Sequence, residues 1–314
     1  THGDPKTFPL LAQTLGFCTA DQVLAVAENI VKIQRDFGDR TNRKHARFKY
    51  TVDDHGIDWV AEQLTQRMGV ALNPAHEVQF THNGDRFGWR QNQDHSWNYT
   101  LFIANGRVIN NDQLSVKSAL HDIATIHSGD FRLTANQNLI IAQVTATQKP
   151  AIEKLLQQHN LIATISPTRQ LSMACVAFPT CTLAMAEAER YLPDLLTQIE
   201  SLQHKHGIAD RGIMIRMTGC PNGCARPFIA EIGFVGKALG RYNMYLGGAL
   251  NGNRLNQLFE ENINEGRILE HIDQLLGHYA QAAYVNEAFG DFVIRQGYVA
   301  AVKHGIEVNI KSAS

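Results

Sequence analysis

Four of the five cysteines in this 314-residue chain fall into two short clusters. The first pair, Cys175 and Cys181, is spaced C-x5-C. The second, Cys220 and Cys224, is spaced C-x3-C within Thr218-Gly-Cys-Pro-Asn-Gly-Cys224. Four soft thiolates brought together from two loops can hold an iron–sulfur cluster or a zinc ion. Structural zinc favours tighter knuckles, often with histidine in the set. Pro179 and Pro221 stiffen the two loops. Gly219 and Gly223 allow the backbone to turn sharply and to come close to a bulky inorganic core. The spacing therefore favours a cluster, with zinc or no metal as open alternatives. Cys18 stands alone and reads as a small buried apolar residue. An odd cysteine count and the lack of an apolar stretch behind a basic start argue against a disulfide framework.

The string from Cys175 through Cys181 to Arg190, followed by Thr218 to Cys224, resembles the sirohaem- and 4Fe-4S-binding signature of the sulfite/nitrite reductase family. The string Phe131 to Leu139 is similar to that family's R-x-T-x-x-Q-N element. The strings Thr1 to Thr7, Gln34 to Arg40 and Gly240 to Asn243 match as well. The resemblance implies that Cys175, Cys181, Cys220 and Cys224 ligate a 4Fe-4S cluster. It also implies that Cys224 is the axial ligand of a sirohaem, and so the residue through which catalysis runs. A polycarboxylate tetrapyrrole calls for guanidinium and amide donors. Arg132, Asn136, Gln137, Asn138, Asn222 and Arg226 are the candidates, with Lys237 and Arg241 as further cations in a glycine-rich turn. The structural alternatives are that Arg132 and Gln137 only secure strand ends, and that Asn222 only shapes its turn.

The implied activity is six-electron reduction of sulfite to sulfide. Nitrite reduction by the same cofactor pair, or a non-catalytic iron–sulfur or zinc-stapled domain, are the alternatives. Members of the family are nearly twice this long, so the chain reads as a C-terminal portion. The first copy of a pseudo-twofold repeat, with most of the basic residues around the anion, would lie outside it. No G-x-G-x-x-G follows a strand in a βαβ setting, so NADPH and flavin are not expected on this chain. Electrons would come from a partner: the NADPH-dependent flavoprotein subunit of the NADPH-type members first, ferredoxin second.

Composition agrees with a globular, soluble protein. Hydrophobic residues make up 44% and charged residues 19%, which excludes disorder, and the net charge of −1 gives no reason to expect nucleic acid or an acidic membrane as a partner. The 14 histidines are scattered with no ligand-spaced pair, so surface roles are expected. No apolar stretch is long enough to span a membrane, and a cytoplasmic location is expected.

The elements that must position these residues suggest an α+β chain in three parts. Residues 1–87 read as the C-terminal part of a first sulfite-reductase-type domain. It has a helix over Ala20–Phe37 capped by Thr19, a basic run from Arg40 to Arg47 that is either a solvated loop or a contact surface, and a helix over Ile57–Met68. Residues 88–162 read as a ferredoxin-like half-module of order ββαββα. A hairpin there pairs Trp97–Ala104 with Arg107–Asn110 across Asn105-Gly106. Helix Gln113–His127, strands Asp130–Thr134 and Leu139–Thr145, and helix Lys149–His159 follow. Residues 163–314 read as the mixed α/β sirohaem and iron–sulfur domain. Helices are expected over Leu183–Tyr191, Leu195–His206, Leu255–Asn264 and Ile268–Asn286. Strands are expected over Gly212–Met217, Ile229–Val235 and Tyr242–Leu246. Because Cys18 lies outside both cysteine clusters, Cys18→Ser should leave iron and sulfide content unchanged by chemical analysis, whereas loss of iron would mean the ligand set is misassigned.

Overall fold

The computed structural model describes residues 9–112, 114–162 and 164–302. The Thr1–Thr7 string, Gln113 and residues 303–314 lie outside the described residues. The chain forms two compact units, one running to Thr81 and joined by Val302, the other from His82 to Ala301.

The first unit holds three helices, α1 (Val23–Phe37), α2 (Phe48–His55) and α3 (Ile57–Met68). Ile33 of α1 and Val60 and Leu64 of α3 form its core, with Val26 and Ile30 of α1 partly buried against them. Each such burial contributes roughly 1.5–3 kcal/mol. Helix α3 has the expected bounds, and Gly69 ends it in the left-handed conformation (φ 72°). Thr19 does not cap α1. Residues 20–22 turn first, and the Thr19 N–H donates to Gln22 Oε1 at 3.0 Å, so the helix begins three residues later than expected. The basic run forms a short 3-10 turn at Arg43–His45, with Asn42 accepting the Lys44 N–H, and then leads into the unanticipated α2. Cys18 is half-buried rather than buried.

The second unit begins with the ββαββα order: β1 (Gly88–Gln91), β2 (Trp97–Leu101), α4 (Val116–Ile126), β3 (Asp130–Leu133), β4 (Leu139–Val144) and α5 (Lys149–Gln158). The sheet order is β1-β2-β4-β3, antiparallel throughout, and Ile123, Ile141, Val144, Ile152 and Leu156 fill its core. The expected hairpin across Asn105-Gly106 is absent from this sheet. Strand β2 already has β1 on one edge and β4 on the other, so Arg107–Asn110 has no edge to join. Gly88–Gln91 takes that place, through a turn in which the Asn92 N–H donates to the Ser96 carbonyl at 2.8 Å.

The rest of the second unit is a five-stranded sheet of order β5-β6-β7-β8-β9. Its strands are β5 (Met173–Ala174), β6 (Ile215–Thr218), β7 (Ile232–Ala238), β8 (Arg241–Leu246) and β9 (Gln257–Ile263); β5, β6 and β7 run parallel and the others antiparallel. Helices α6 (Pro167–Leu171), α7 (Leu192–Lys205), α8 (Glu265–Ala282) and α9 (Phe289–Arg295) complete it. Ile199, Met217, Phe234, Met244, Leu276 and Phe292 mark the core. Two expected helices are corrected. Leu255–Asn264 has apolar residues at helical spacing, yet most of it is strand β9; pairing with β8, through an irregular register, overrides the local pattern. Leu183–Tyr191 is non-helical, two of its N–H groups serving another partner, described below, and α7 instead opens with Pro193 in its first turn.

Glu231 joins β7 to two other parts of this unit. It is 0% exposed, and its two oxygens accept the Met214 and Gly290 N–H groups at 2.8 Å each. Burial outweighs these two bonds and raises its pKa from 4.5 to about 7. The folded chain therefore keeps a proton that the unfolded chain releases, and this contribution to stability declines as pH rises from the unfolded to the folded value. In urea titrations, the stability of the wild type relative to Glu231→Gln should fall by up to about 3 kcal/mol between about pH 5 and about pH 8. A difference that stays constant with pH would show that Glu231 is already ionised throughout that range.

Candidate functional site

Both cysteine loops leave the C-terminal ends of neighbouring parallel strands, β5 and β6, an edge where loops from an α/β sheet commonly build sites. The Cys175 N–H continues the strand pairing by donating to the Met217 carbonyl at 3.1 Å. One residue then ties the loops together. The Gly219 N–H donates to Cys175 Sγ at 3.2 Å, and the Gly219 carbonyl accepts from the Met185 and Ala186 N–H groups at 2.7 and 3.0 Å. These last two bonds are what hold Leu183–Tyr191 out of a helix. A Cβ on Gly219 would lie 2.6 Å from the Ala186 carbonyl oxygen and 2.7 Å from Ala177 Cβ, so only glycine fits. The Cys181 N–H donates to the Ala177 carbonyl at 2.8 Å, and Gly223 (φ 68°) and Arg226 (φ 55°) bend the second loop.

All five cysteines are free thiols. Cys220 is buried, Cys175 and Cys181 are half-buried, and Cys224 is exposed. Burial raises the Cys175 pKa; the Gly219 and Ala177 N–H groups pull it down, and charge on Cys224 and Cys220 pushes it up again. Among the described residues no three His, Cys, Asp or Glu side chains converge tightly enough to share one ion. A zinc knuckle would need four thiolates within about 2.3 Å of a single centre.

The amide and guanidinium candidates divide. Arg132 is half-exposed and pairs with Asp130 at 3.1 Å. Asn136 and Asn138 donate to Asp85, and the Ile103 N–H donates to Asn138 Oδ1 at 2.9 Å. Asn138 is therefore a buried fastener, and Asp85, which carries no motif, is the anchor of its loop. Gln137 Nε2 donates to the Ala174 carbonyl at 2.9 Å, while its Oε1 is buried without a partner. Arg226 Nη2 donates to the Ala135 carbonyl and to Asn136 Oδ1, both at 2.8 Å, which brings the second cysteine loop onto the Asn136–Asn138 loop. Asn222 lies in the turn between Cys220 and Cys224, half-buried. Lys237 and Arg241 are exposed at the β7–β8 turn, with Arg241 donating to the Asn262 carbonyl.

Arg216 belongs to none of the sequence motifs. On β6, Ile215 and Met217 enter the apolar core, while Arg216 and Thr218 take the opposite face. Arg216 is 1% exposed, and its Nε and Nη1 have no partner; Thr218 Oγ1 is likewise buried and unpartnered. Burial, followed by the nearby charge of Arg226, lowers the Arg216 pKa to about 9. A buried, uncompensated guanidinium costs several kcal/mol unless an anion meets it. The donor set thus fits an anionic, carboxylate-bearing group beside the cysteine loops. A lone arginine in the apolar run before Thr218 was the available signal.

Residues 1–72 match the family model described as the nitrite and sulphite reductase 4Fe-4S domain, and residues 89–159 match the nitrite/sulfite reductase ferredoxin-like half domain. Proteins named sulfite reductase [NADPH] hemoprotein beta-component are similar over nearly the whole chain. That of Shouchella clausii is 50% identical over 98% of the chain, that of Oceanobacillus iheyensis 52% over 98%, and that of Bacillus pumilus 51% over 99%. The chain belongs to the nitrite/sulfite reductase family. It spans about half the length of these relatives, 54%, 54% and 55% respectively. The solved structure of Mycobacterium tuberculosis NirA protein shares the fold, with a TM-score of 0.78 at 23% identity over 92% of this chain and 55% of that one. The segment matched by the family's 4Fe-4S model contains only Cys18; the four paired cysteines lie outside both matched segments. Arg216→Met should stabilise the cofactor-free chain by on the order of 1–3 kcal/mol in denaturant titrations, and should lower tetrapyrrole absorbance per chain in the loaded protein. A variant that is less stable when cofactor-free would show that Arg216 is satisfied within the chain.

Proposed function

We propose that this chain forms part of an enzyme that reduces sulfite to sulfide at a coupled sirohaem and 4Fe-4S centre. The observation that carries this reading is the Gly219 peptide, which draws both cysteine loops together beside the buried, unpartnered Arg216. The name shared by the relatives supports sulfite over nitrite as substrate. The 4Fe-4S description of the matching family model supports a multi-iron cluster over a single zinc ion.

In this reading Cys175, Cys181, Cys220 and Cys224 hold the cluster. Cys224, exposed where Cys220 is buried, would also be the residue that holds the tetrapyrrole. Bound together, the two groups supply the one-electron steps that no side chain can provide. The Gly219 N–H bonds a ligand sulfur, an interaction that tunes cluster potential. Arg216 and Arg226 hold tetrapyrrole carboxylates as fixed cations, and Gln137 and Asn222 add amide contacts. Arg132 keeps its pairing with Asp130 unless a carboxylate displaces it. Electrons arrive from an NADPH-dependent flavoprotein subunit, which the beta-component name of the relatives supports; ferredoxin is the second donor. The three-part division at residues 87 and 162 and a reducing, cytoplasmic setting belong to the same reading. Among the described residues no helix is long and apolar enough to cross a membrane.

The test is an anaerobic visible spectrum of the complete protein, with iron, sulfide and zinc analysis, followed by sulfite and nitrite turnover. Sirohaem bands with cluster iron and sulfite turnover are expected. Cys224→Ser should disturb both cofactors and abolish their coupling. A normal sirohaem spectrum and normal activity in that variant would overturn the bridging role, and a colourless zinc protein would overturn the whole reading.

A further inference from the structure

Strand β5 is only two residues long and lies at the edge of its sheet. Alternate residues of a strand direct their N–H and C=O groups to opposite edges. The Cys175 N–H bonds β6, so the polar groups of Ala174 face the open edge, where no strand follows. Two carboxamides fill that place. The Ala174 N–H donates to Asn105 Oδ1 at 3.0 Å, and the Ala174 carbonyl accepts from Gln137 Nε2 at 2.9 Å. Both come from the ββαββα module. Asn105 is anchored in turn by its Nδ2, which donates to the Glu189 carbonyl at 2.8 Å.

Both residues are held in the left-handed region, Asn105 at φ 50° and Gln137 at φ 67°. Asparagine tolerates this conformation and glutamine does so rarely, so the surroundings must enforce it. The residue after Asn105 packs against Gln137, since a Cβ on Gly106 would lie 3.1 Å from Gln137 Cβ. The Asn105-Gly106 turn, useless as a hairpin, therefore has another task.

We propose that Asn105 and Gln137 are positioning residues for Cys175. Together they replace a missing strand, clamp the peptide groups of the residue before it, and hold its sulfur against the Gly219 N–H. The ferredoxin-like module thereby governs the retention and potential of a cluster whose ligands it does not supply. This rests on the reading that Cys175 is a cluster ligand.

The test uses the full-length holoprotein and two readouts, the rate of iron loss to a chelator and the cluster potential by EPR-monitored titration. Asn105→Ala and Gln137→Ala should each lose iron roughly tenfold faster, as outer-shell changes at metal sites do. Each should also lower the potential, because a slack Cys175 loses its N–H bond. Asn105→Asp, which keeps the acceptor for the Ala174 N–H but loses the donor to the Glu189 carbonyl, should lose iron more slowly than Asn105→Ala without reaching the wild-type rate. Arg107→Ala is the control, because Arg107 pairs with Glu189 across the same two modules without touching Ala174. Wild-type rates and potentials in both alanine variants would overturn the proposal. So would the same change in Arg107→Ala, which would trace it to module docking at large. A wild-type protein without any cluster would defeat the underlying ligand reading itself.

Discussion

The peptide around Gly219 is the constraint on which the site depends. Its N–H meets a cysteine sulfur from one loop, its carbonyl takes two N–H groups from the segment that follows that loop, and the second cysteine pair begins at the next residue. Only a residue without a side chain can lie this close to Ala177 and Ala186. The two cysteine loops are therefore coupled by backbone, which does not change rotamer. Backbone donors aimed at sulfur also cost nothing to reorganise when charge arrives there.

Around this hub the polar groups fall into two populations. Asp85 gathers Thr134, Asn136 and Asn138, and Glu231 gathers two backbone N–H groups; each is a buried or half-buried acceptor with its donors in place. Arg216, Thr218 and Gln137 Oε1 are the opposite, buried and without partners. Native chains rarely leave such atoms orphaned. Other such atoms lie elsewhere, but Arg216 and Thr218 share one face of the strand that delivers Cys220, where the fold tolerates local cost for a binding purpose. Arg226 connects the two populations, because it bonds the Asn136 loop and still contributes charge near Arg216.

Much of the fold was legible. Helix α3 and strand β4 follow from short-range periodicity and lie within a residue or so of expectation, because burial decides them; β3 also lies there, held by its pairing with β4 although all four of its residues are exposed. The failures share a cause. Leu183–Tyr191 and Leu255–Asn264 carry helical patterns, yet the first gives two of its N–H groups to Gly219 and the second pairs with β8. Asn105-Gly106 does make its tight turn, but the flanking segments never pair, since both edges of β2 are taken. In each case a partner far away in sequence outweighed a local preference worth less than about 1 kcal/mol per residue.

The sequence by itself determined the chemistry on offer: four soft ligands in two proline- and glycine-bearing loops, amides around Gln137, and too little net charge for a polyanionic partner. Those are properties of residue type and spacing, which survive any fold. Only the tertiary structure decided that Gly219 is the hub, that Arg216 is buried without a partner, that Arg132 turns to Asp130, and that Asn105 serves the Cys175 strand. These depend on which backbone groups remain unpaired after the sheets form. That is settled by strand order and long-range hydrogen bonding, and no local window of the chain contains it.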